Sequence, residues 1–263
     1  TVSLVLLCVR FVDAFQDPVI GSLSDRARLS RRNLILLAAP VLVAAFYGLF
    51  VPPSSLTGAW LAAWMVGMLL LIYTAFSTMI INFYAAGLVL SRDPHERTRI
   101  SAFREAMMLV GVMIAAALPS LLTSRYGDAE AYYYFSLAFL PIALVGVALT
   151  YRSLATLPRT ASRRHQSLAS QFRWLKRPEA RTLLVLFFVN SLPTAITSTL
   201  FLFFAEDVLG AKAQAGYMLL SFFFASAVSV AGWSALARRL GKRRALQLGM
   251  VLAIASFAWA FLL

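Results

Sequence analysis

Residues 10–26 read RFVDAFQDPVIGSLSDR, preceded by TVSLVLLCV at 1–9 and followed, after a basic turn, by NLILLAAPVLVAAFYGLF at 33–50. The flanks are as apolar as a helix needs to be in hydrocarbon, yet Arg10, Asp13 and Asp17 stand between them. A charge at the bilayer centre costs about 2.5–3.5 kcal/mol on insertion scales. Three on one segment demand a reason.

Composition supports the membrane reading. The 263 residues are 60% hydrophobic and only 13% charged, where a soluble domain carries about 25% charged residues. Mean hydropathy is +0.77. Eight apolar segments approach the roughly 20 residues needed to cross hydrocarbon: 1–22, 33–52, 58–86, 104–122, 131–151, 181–206, 215–236 and 245–263. No run of short alternating strands suggests a barrel. The expected fold class is all-α, a polytopic bundle.

The net charge of +13 raises nucleic acid as a partner, but its distribution argues against it. The loops Arg26–Arg32, Arg92–Arg104, Arg152–Arg181 and Arg238–Arg244 hold 21 of the 24 basic residues. The intervening loops VPPSSLTG, TSRYGDAEA and AEDVLGAKAQAG contribute only Arg125 and Lys212. Basic residues in alternate loops follow the positive-inside rule and place those loops in the cytoplasm. Cys8 is the single cysteine, so neither a disulfide framework nor a zinc cluster is expected. His95 and His165 lie in cytoplasmic loops without partner ligands, and no P-loop, nucleophile elbow or zincin helix is present. No cofactor, no enzyme and no ATP-driven pump is expected. Residue 1 is Thr, no signal peptide is visible, and the chain reads as a piece trimmed inside a helix at each end.

The longest connection, YRSLATLPRTASRRHQSLASQFRWLKRPEAR, separates five apolar segments from three, with a short amphipathic helix expected around SLASQFRWLKR. This suggests one bundle over 1–152, a cytoplasmic linker over 153–180 and a second bundle beginning at 181–263. VIGSLSDRARLSRRNLIL in the first part loosely echoes VAGWSALARRLGKRRALQL in the second, as repeats of a transporter would.

On a helix, Arg10, Asp13, Asp17 and Gly21 form one stripe at spacings of three, four and four. Two carboxylates one turn apart repel each other unless a cation sits between them or a proton neutralises one. That is the requirement of a cation-coupling site. The plainer alternative has Arg10 neutralise Asp13 while Asp17 caps a break at Pro18. In GSLSDRARLSRR, Asp25 pairs with cytoplasmic arginines, either as a latch or as an ordinary basic turn. Asn190, Ser191, Thr194 and Thr197 make a turn-spaced patch beside Pro193, suited to lining a solute path or to hydrogen bonding between helices. Trp60, Trp64 and Tyr132 to Tyr134 sit near outer helix ends, as interfacial aromatics do.

The pattern R-x-x-D-A-x-x-D-P-x-x-G-x-x-x-D-R resembles the second-helix signature of the glycoside–pentoside–hexuronide:cation symporters of the major facilitator superfamily. Asn82–Tyr84 leading into LSRDPHERTRISAFRE resembles the family's fourth helix, following loop and fifth helix. NSLPTAITSTLFLFFAEDVLG resembles its seventh helix, and ARRLGKRRALQLG its eighth-to-ninth loop. The resemblance implies twelve helices in two six-helix bundles, of which helices two to nine are present here. It also implies alternating access and a monomer when complete, in the bacterial inner membrane, carrying a small solute with Na⁺, H⁺ or Li⁺.

By that resemblance Asp13 and Asp17 bind the cation with help from Ser77, so Na⁺ at the acid pair is the one metal expected. Arg10, Gly21, Asp25 and Arg26 belong to the charge network and its turn. Arg104, Asn82, Tyr84, Asn190 and Thr194 are the solute-lining candidates. Where sugar-binding members carry an Asp on the fourth helix, this chain has Ile80, and Asn82 and Tyr84 replace a Pro and a Trp. The apolar Ile80 keeps an amphipathic solute open beside a sugar, and a non-transporting membrane interaction protein is a further alternative.

Overall fold

The computed structural model describes residues 2–27, 29–87, 93–155, 176–203, 209–210 and 215–261. Among them eight helices follow in order: α1 (Val2–Arg26), α2 (Arg31–Phe50), α3 (Gly58–Gly87), α4 (Pro94–Tyr126), α5 (Asp128–Ala155), α6 (Pro178–Phe203), α7 (Ala215–Leu240) and α8 (Lys242–Phe261). No strand occurs among the described residues. The amphipathic helix expected around SLASQFRWLKR falls largely outside them.

Among the described residues five helices contain stretches long and apolar enough to cross a membrane: α2, α3, α4, α5 and α7. The sequence reading expected eight spans. α1 is interrupted by its own charges, and α8 opens on Lys242, Arg243 and Arg244. The helices also outrun their apolar cores. α4 begins at Pro94 rather than near 104, because Asp-Pro-His-Glu is a helix start. The Asp93 side chain accepts from the His95 amide at 3.1 Å, Pro94 has no amide proton to leave unsatisfied, and Glu96 stands in the first turn.

Contacts divide the chain into two compact units, Thr1–Leu90 with Pro119–Phe203 and Ser91–Leu118 with Phe204–Leu263. In the first, α3 packs on both α1 and α2, and α2 packs on α5. Ala38 and Leu42 of α2 meet Ala75 of α3 in a small buried cluster, closed by Ile72, Met79 and Phe139. Small side chains suit this place. Lipid tails are as apolar as leucine, so helices associate through close contact rather than through hydrophobic exclusion. At one end of α2 and α3 the indole of Trp64 donates to the Gly48 carbonyl at 2.8 Å. A methyl on Gly48 would lie 3.0 Å from the Met68 sulfur, so glycine keeps that crossing tight. Nearby, Phe46 packs against Phe139 with centroids 4.2 Å apart, and Phe50 stacks on Tyr132 at 5.7 Å with ring planes 6° apart. Tyr132 to Tyr134 are thus about 40% exposed and also packed on neighbouring rings.

The turn from α1 to α2 is short. Ser30 caps α2, its side chain accepting from the Asn33 amide at 3.3 Å, and Arg32 lies 3.9 Å above the Tyr151 ring of α5. α4 meets α5 through Gly127 at φ 79°, a left-handed conformation that glycine adopts freely. In the second unit α7 packs on α8. Gly241 at φ 83° joins them, and Trp233 comes within 3.6 Å of a methyl placed on Gly249.

Candidate cation site between the first and third helices

α1 runs unbroken through Pro18, so no break exists for Asp17 to cap. Proline does have a local effect. It lacks the amide proton that the Ala14 carbonyl would otherwise accept, so a carbonyl oxygen is released between the two acids. Neighbouring helices and polar side chains make such prolines tolerable in membrane helices.

α1 and α3 run in the same direction, being separated by one antiparallel helix. Their contact carries a ladder of polar groups. The Ser77 hydroxyl, 4% exposed, donates to Asp13 Oδ1 at 3.3 Å. Gln16 Nε2 donates to the same oxygen at 3.1 Å. The Thr74 hydroxyl reaches Gln16 Oε1 at 3.1 Å and its own Leu70 carbonyl at 2.7 Å. One turn on, Asp17 Oδ1 is buried with no hydrogen-bond donor among the described residues. Neither carboxylate has an ion-pair partner among those residues. The side chain of Arg10, one turn before Asp13, lies outside them, and so does the pairing of Arg10 with Asp13.

Magnitudes decide what this arrangement requires. Two ionised carboxylates at depth cost about 5–7 kcal/mol on insertion scales. Hydrogen bonds between membrane helices average about 0.6 kcal/mol. The neutral donors of Gln16 and Ser77 orient Asp13 without offsetting that cost. Arg10, a bound cation, a proton or water must supply the difference. The oxygens present fit a small hard cation, since carboxylate, amide and hydroxyl oxygens are the ligands such ions prefer. A proton would need only one of the two acids.

Other singled-out residues lie in different settings. Gly21 is half-buried against Ile81, whose Cγ2 is 3.9 Å from where a β-carbon would stand. Asp25 pairs with Arg31 at 2.9 Å, within its own turn and largely in solvent, while Arg26 ends α1 exposed. Asn82 is wholly buried, its amide nitrogen donating to Ser24 Oγ at 3.0 Å and to the Thr78 carbonyl at 2.8 Å. Tyr84 and Ile80 are half-buried on α3. Arg104 is half-buried on α4, in the second unit. Asn190 is exposed on α6; Thr194 stands one turn on, its side chain outside those described. His95 lines a cavity of about 420 Å³ with Asp93, Glu96, Arg99 and Arg238, all in the second unit. No group of three or more His, Cys, Asp or Glu forms a metal centre among the described residues.

Gln16, Thr74, Ser24 and Thr78 were not singled out from sequence. Their signal is spacing: Gln16 follows Asp13 by three, and Thr74, Thr78 and Asn82 recur every four residues on α3.

All-helical architecture with several helices long and apolar enough to cross a membrane defines the class: a polytopic membrane protein. The chain belongs to the MFS/sugar transport protein family, whose model matches residues 1–263. It is 25% identical, over 96% of its length and 54% of the relative's, to the isoprimeverose transporter of Lactiplantibacillus pentosus. It is 31% identical, over 47% of its length and 26% of the relative's, to an uncharacterized symporter of Synechocystis. The chain therefore spans about half the length of the first and a quarter of the second.

Proposed function

We propose that this chain supplies the cation-coupling part of a secondary transporter that moves a sugar or related polar solute by alternating access. The observation that carries the reading is the pair Asp13 and Asp17, one turn apart on α1, with Ser77 and Gln16 converging on the first and no donor described for Asp17 Oδ1. In this reading the cation binds between the acids and lowers the cost of the occupied carrier's reorientation. The solute is taken up in the same cycle. The full-length carrier has two bundles joined at the basic linker, with residues 1–152 in the first and the second beginning at 181. It works as a monomer in the bacterial inner membrane, basic loops in the cytoplasm. The names of both relatives support transport, and one supports a sugar. An amphipathic solute is the second reading, favoured by the apolar, half-buried Ile80.

The test is solute accumulation by the full-length carrier in proteoliposomes, measured against Na⁺, Li⁺ and pH. Isoprimeverose is the first sugar and an alkyl glycoside the amphipathic comparison. Asp17→Asn should reduce gradient-driven accumulation at least tenfold while downhill flux persists. Asp13→Asn should alter cation affinity or selectivity. A sodium carrier loses more than a proton carrier on removal of one acid, because sodium needs several oxygens. Unchanged accumulation and ion dependence in both variants would show that the acids are structural.

A further inference from the structure

The polar seam does not end at the acid pair. On α1 the stripe Asp13, Asp17, Gly21 continues to Ser24 and Asp25, and on α3 Thr74, Thr78 and Asn82 keep step at four-residue intervals. Asn82 is fully buried, and its side-chain orientation is fixed by chemistry. The backbone carbonyl of Thr78, 2.8 Å away, can only accept, so the nitrogen of the amide must face it. The same nitrogen donates to Ser24 Oγ at 3.0 Å. The carbonyl oxygen, Oδ1, is left buried without a donor among the described residues. A buried acceptor without a partner costs about 1–3 kcal/mol. It remains in a functional protein when something else uses it.

We propose that Asn82 Oδ1 and Ser24 Oγ form a second, transient station for the coupling cation, between the Asp13–Asp17 pair and the cytoplasm. This rests on the coupling reading above. Seven residues separate Asp17 from Ser24, a rise of about 10 Å along α1, which a hydrated cation crosses in one or two steps. Midway stands Gly21, with no side chain of its own; a β-carbon placed there would meet only Ile81 Cγ2, at 3.9 Å. Beyond Ser24 comes Asp25, its side chain 54% exposed and paired with Arg31 at 2.9 Å, where the seam reaches solvent. The chemistry of the station suits release. Two neutral oxygens solvate a small cation but hold it weakly, whereas a third carboxylate would trap it. The station assigns Asn82 to the cation rather than to the solute.

A thiol at the station tests this with a probe of the right size and charge. Silver ion is close to sodium in size and captures thiolates. In the full-length carrier with Cys8 and any cysteine outside residues 1–263 replaced by serine, inverted vesicles bearing Ser24→Cys are exposed to Ag⁺ or to N-ethylmaleimide, and remaining thiols are counted after denaturation. Rates are normalised to Asp25→Cys, which is exposed. For Ag⁺, Cys at 24 should react within about threefold of the reference, and 100 mM Na⁺ should slow it severalfold without affecting the reference. For the bulkier neutral reagent the ratio should fall below about one hundredth. Ser22→Cys, buried at 3% exposure where Ser24 is half-buried, and off the stripe, should resist both. If Ser24→Cys does not fold, Asn82→Cys reports the same station. Exclusion of Ag⁺ from position 24, equal reaction at 22 and 24, or indifference to Na⁺ would overturn the proposal. Its failure is separable from that of the coupling reading. Cation-dependent accumulation with Ag⁺ excluded removes the station alone, whereas Ag⁺ entry without cation-dependent accumulation leaves a cation path and removes the coupling.

Discussion

At the scale of single residues, the acid pair was legible because charge in an apolar segment is rare and costly, so Asp13 and Asp17 announce themselves. Gln16 and Thr74 do not, since Gln and Thr are ordinary in any helix. They acquire meaning only when α3 is brought against α1 and Thr74 meets the amide that holds Asp13. Asn82 is solute-lining only by the family resemblance; its complete burial depends on packing that no local pattern encodes. The hydroxyl of Ser77 gives a direct prediction. Ser77→Ala removes one of two donors to Asp13 Oδ1 and should weaken apparent cation affinity roughly 3- to 10-fold, equivalent to about 0.6–1.4 kcal/mol. Ser77→Thr, which keeps the hydroxyl, should restore most of it. Sodium titration of transport or of Trp fluorescence measures both. Equal affinity in the alanine variant and wild type would remove Ser77 from the site.

At the scale of the element, hydropathy located the spans but not the helix ends, because the two answer to different physics. A span is bounded by the cost of polarity in lipid, while a helix is bounded by its caps. Asp93 and Pro94 start α4 well before its apolar stretch begins. α1 likewise passes through Pro18, where a sequence reading allows a break. The joints are stereochemical, and Gly127 is the clearest. At φ 79° a β-carbon is strained even though nothing lies within 4 Å of it. Gly127→Ala should therefore destabilise by about 1 kcal/mol. Gly111→Ala, inside α4 with equally open space and no positive φ, should be neutral or stabilising by up to about 1 kcal/mol. Thermal unfolding of the purified carrier in detergent separates them. A Gly127→Ala variant as stable as Gly111→Ala would contradict the strain argument.

At the scale of the whole molecule, alternation of basic loops predicts orientation independently of packing. In a background with Cys8 and any cysteine outside residues 1–263 replaced by serine, Ser55→Cys should label from outside intact cells with an impermeant maleimide, and His95→Cys only after the membrane is opened. The reverse result would invert the topology and move the Asp25 mouth to the outer face. Packing adds a consequence for biogenesis. The hydrogen bond from Ser77 to Asp13 joins residues 64 apart in the chain. At ordinary elongation rates of about 5–20 residues per second, Ser77 is polymerised about 3–13 s after Asp13. During that interval α1, with Arg10, Asp13 and Asp17 inside its apolar stretch, has neither Ser77 nor Thr74 to help shelter it and is a poor candidate for release into lipid. Its integration is expected to wait at the translocon until α2 and α3 arrive, so that the ion-binding helix enters lipid no earlier than α3 although it is made before it.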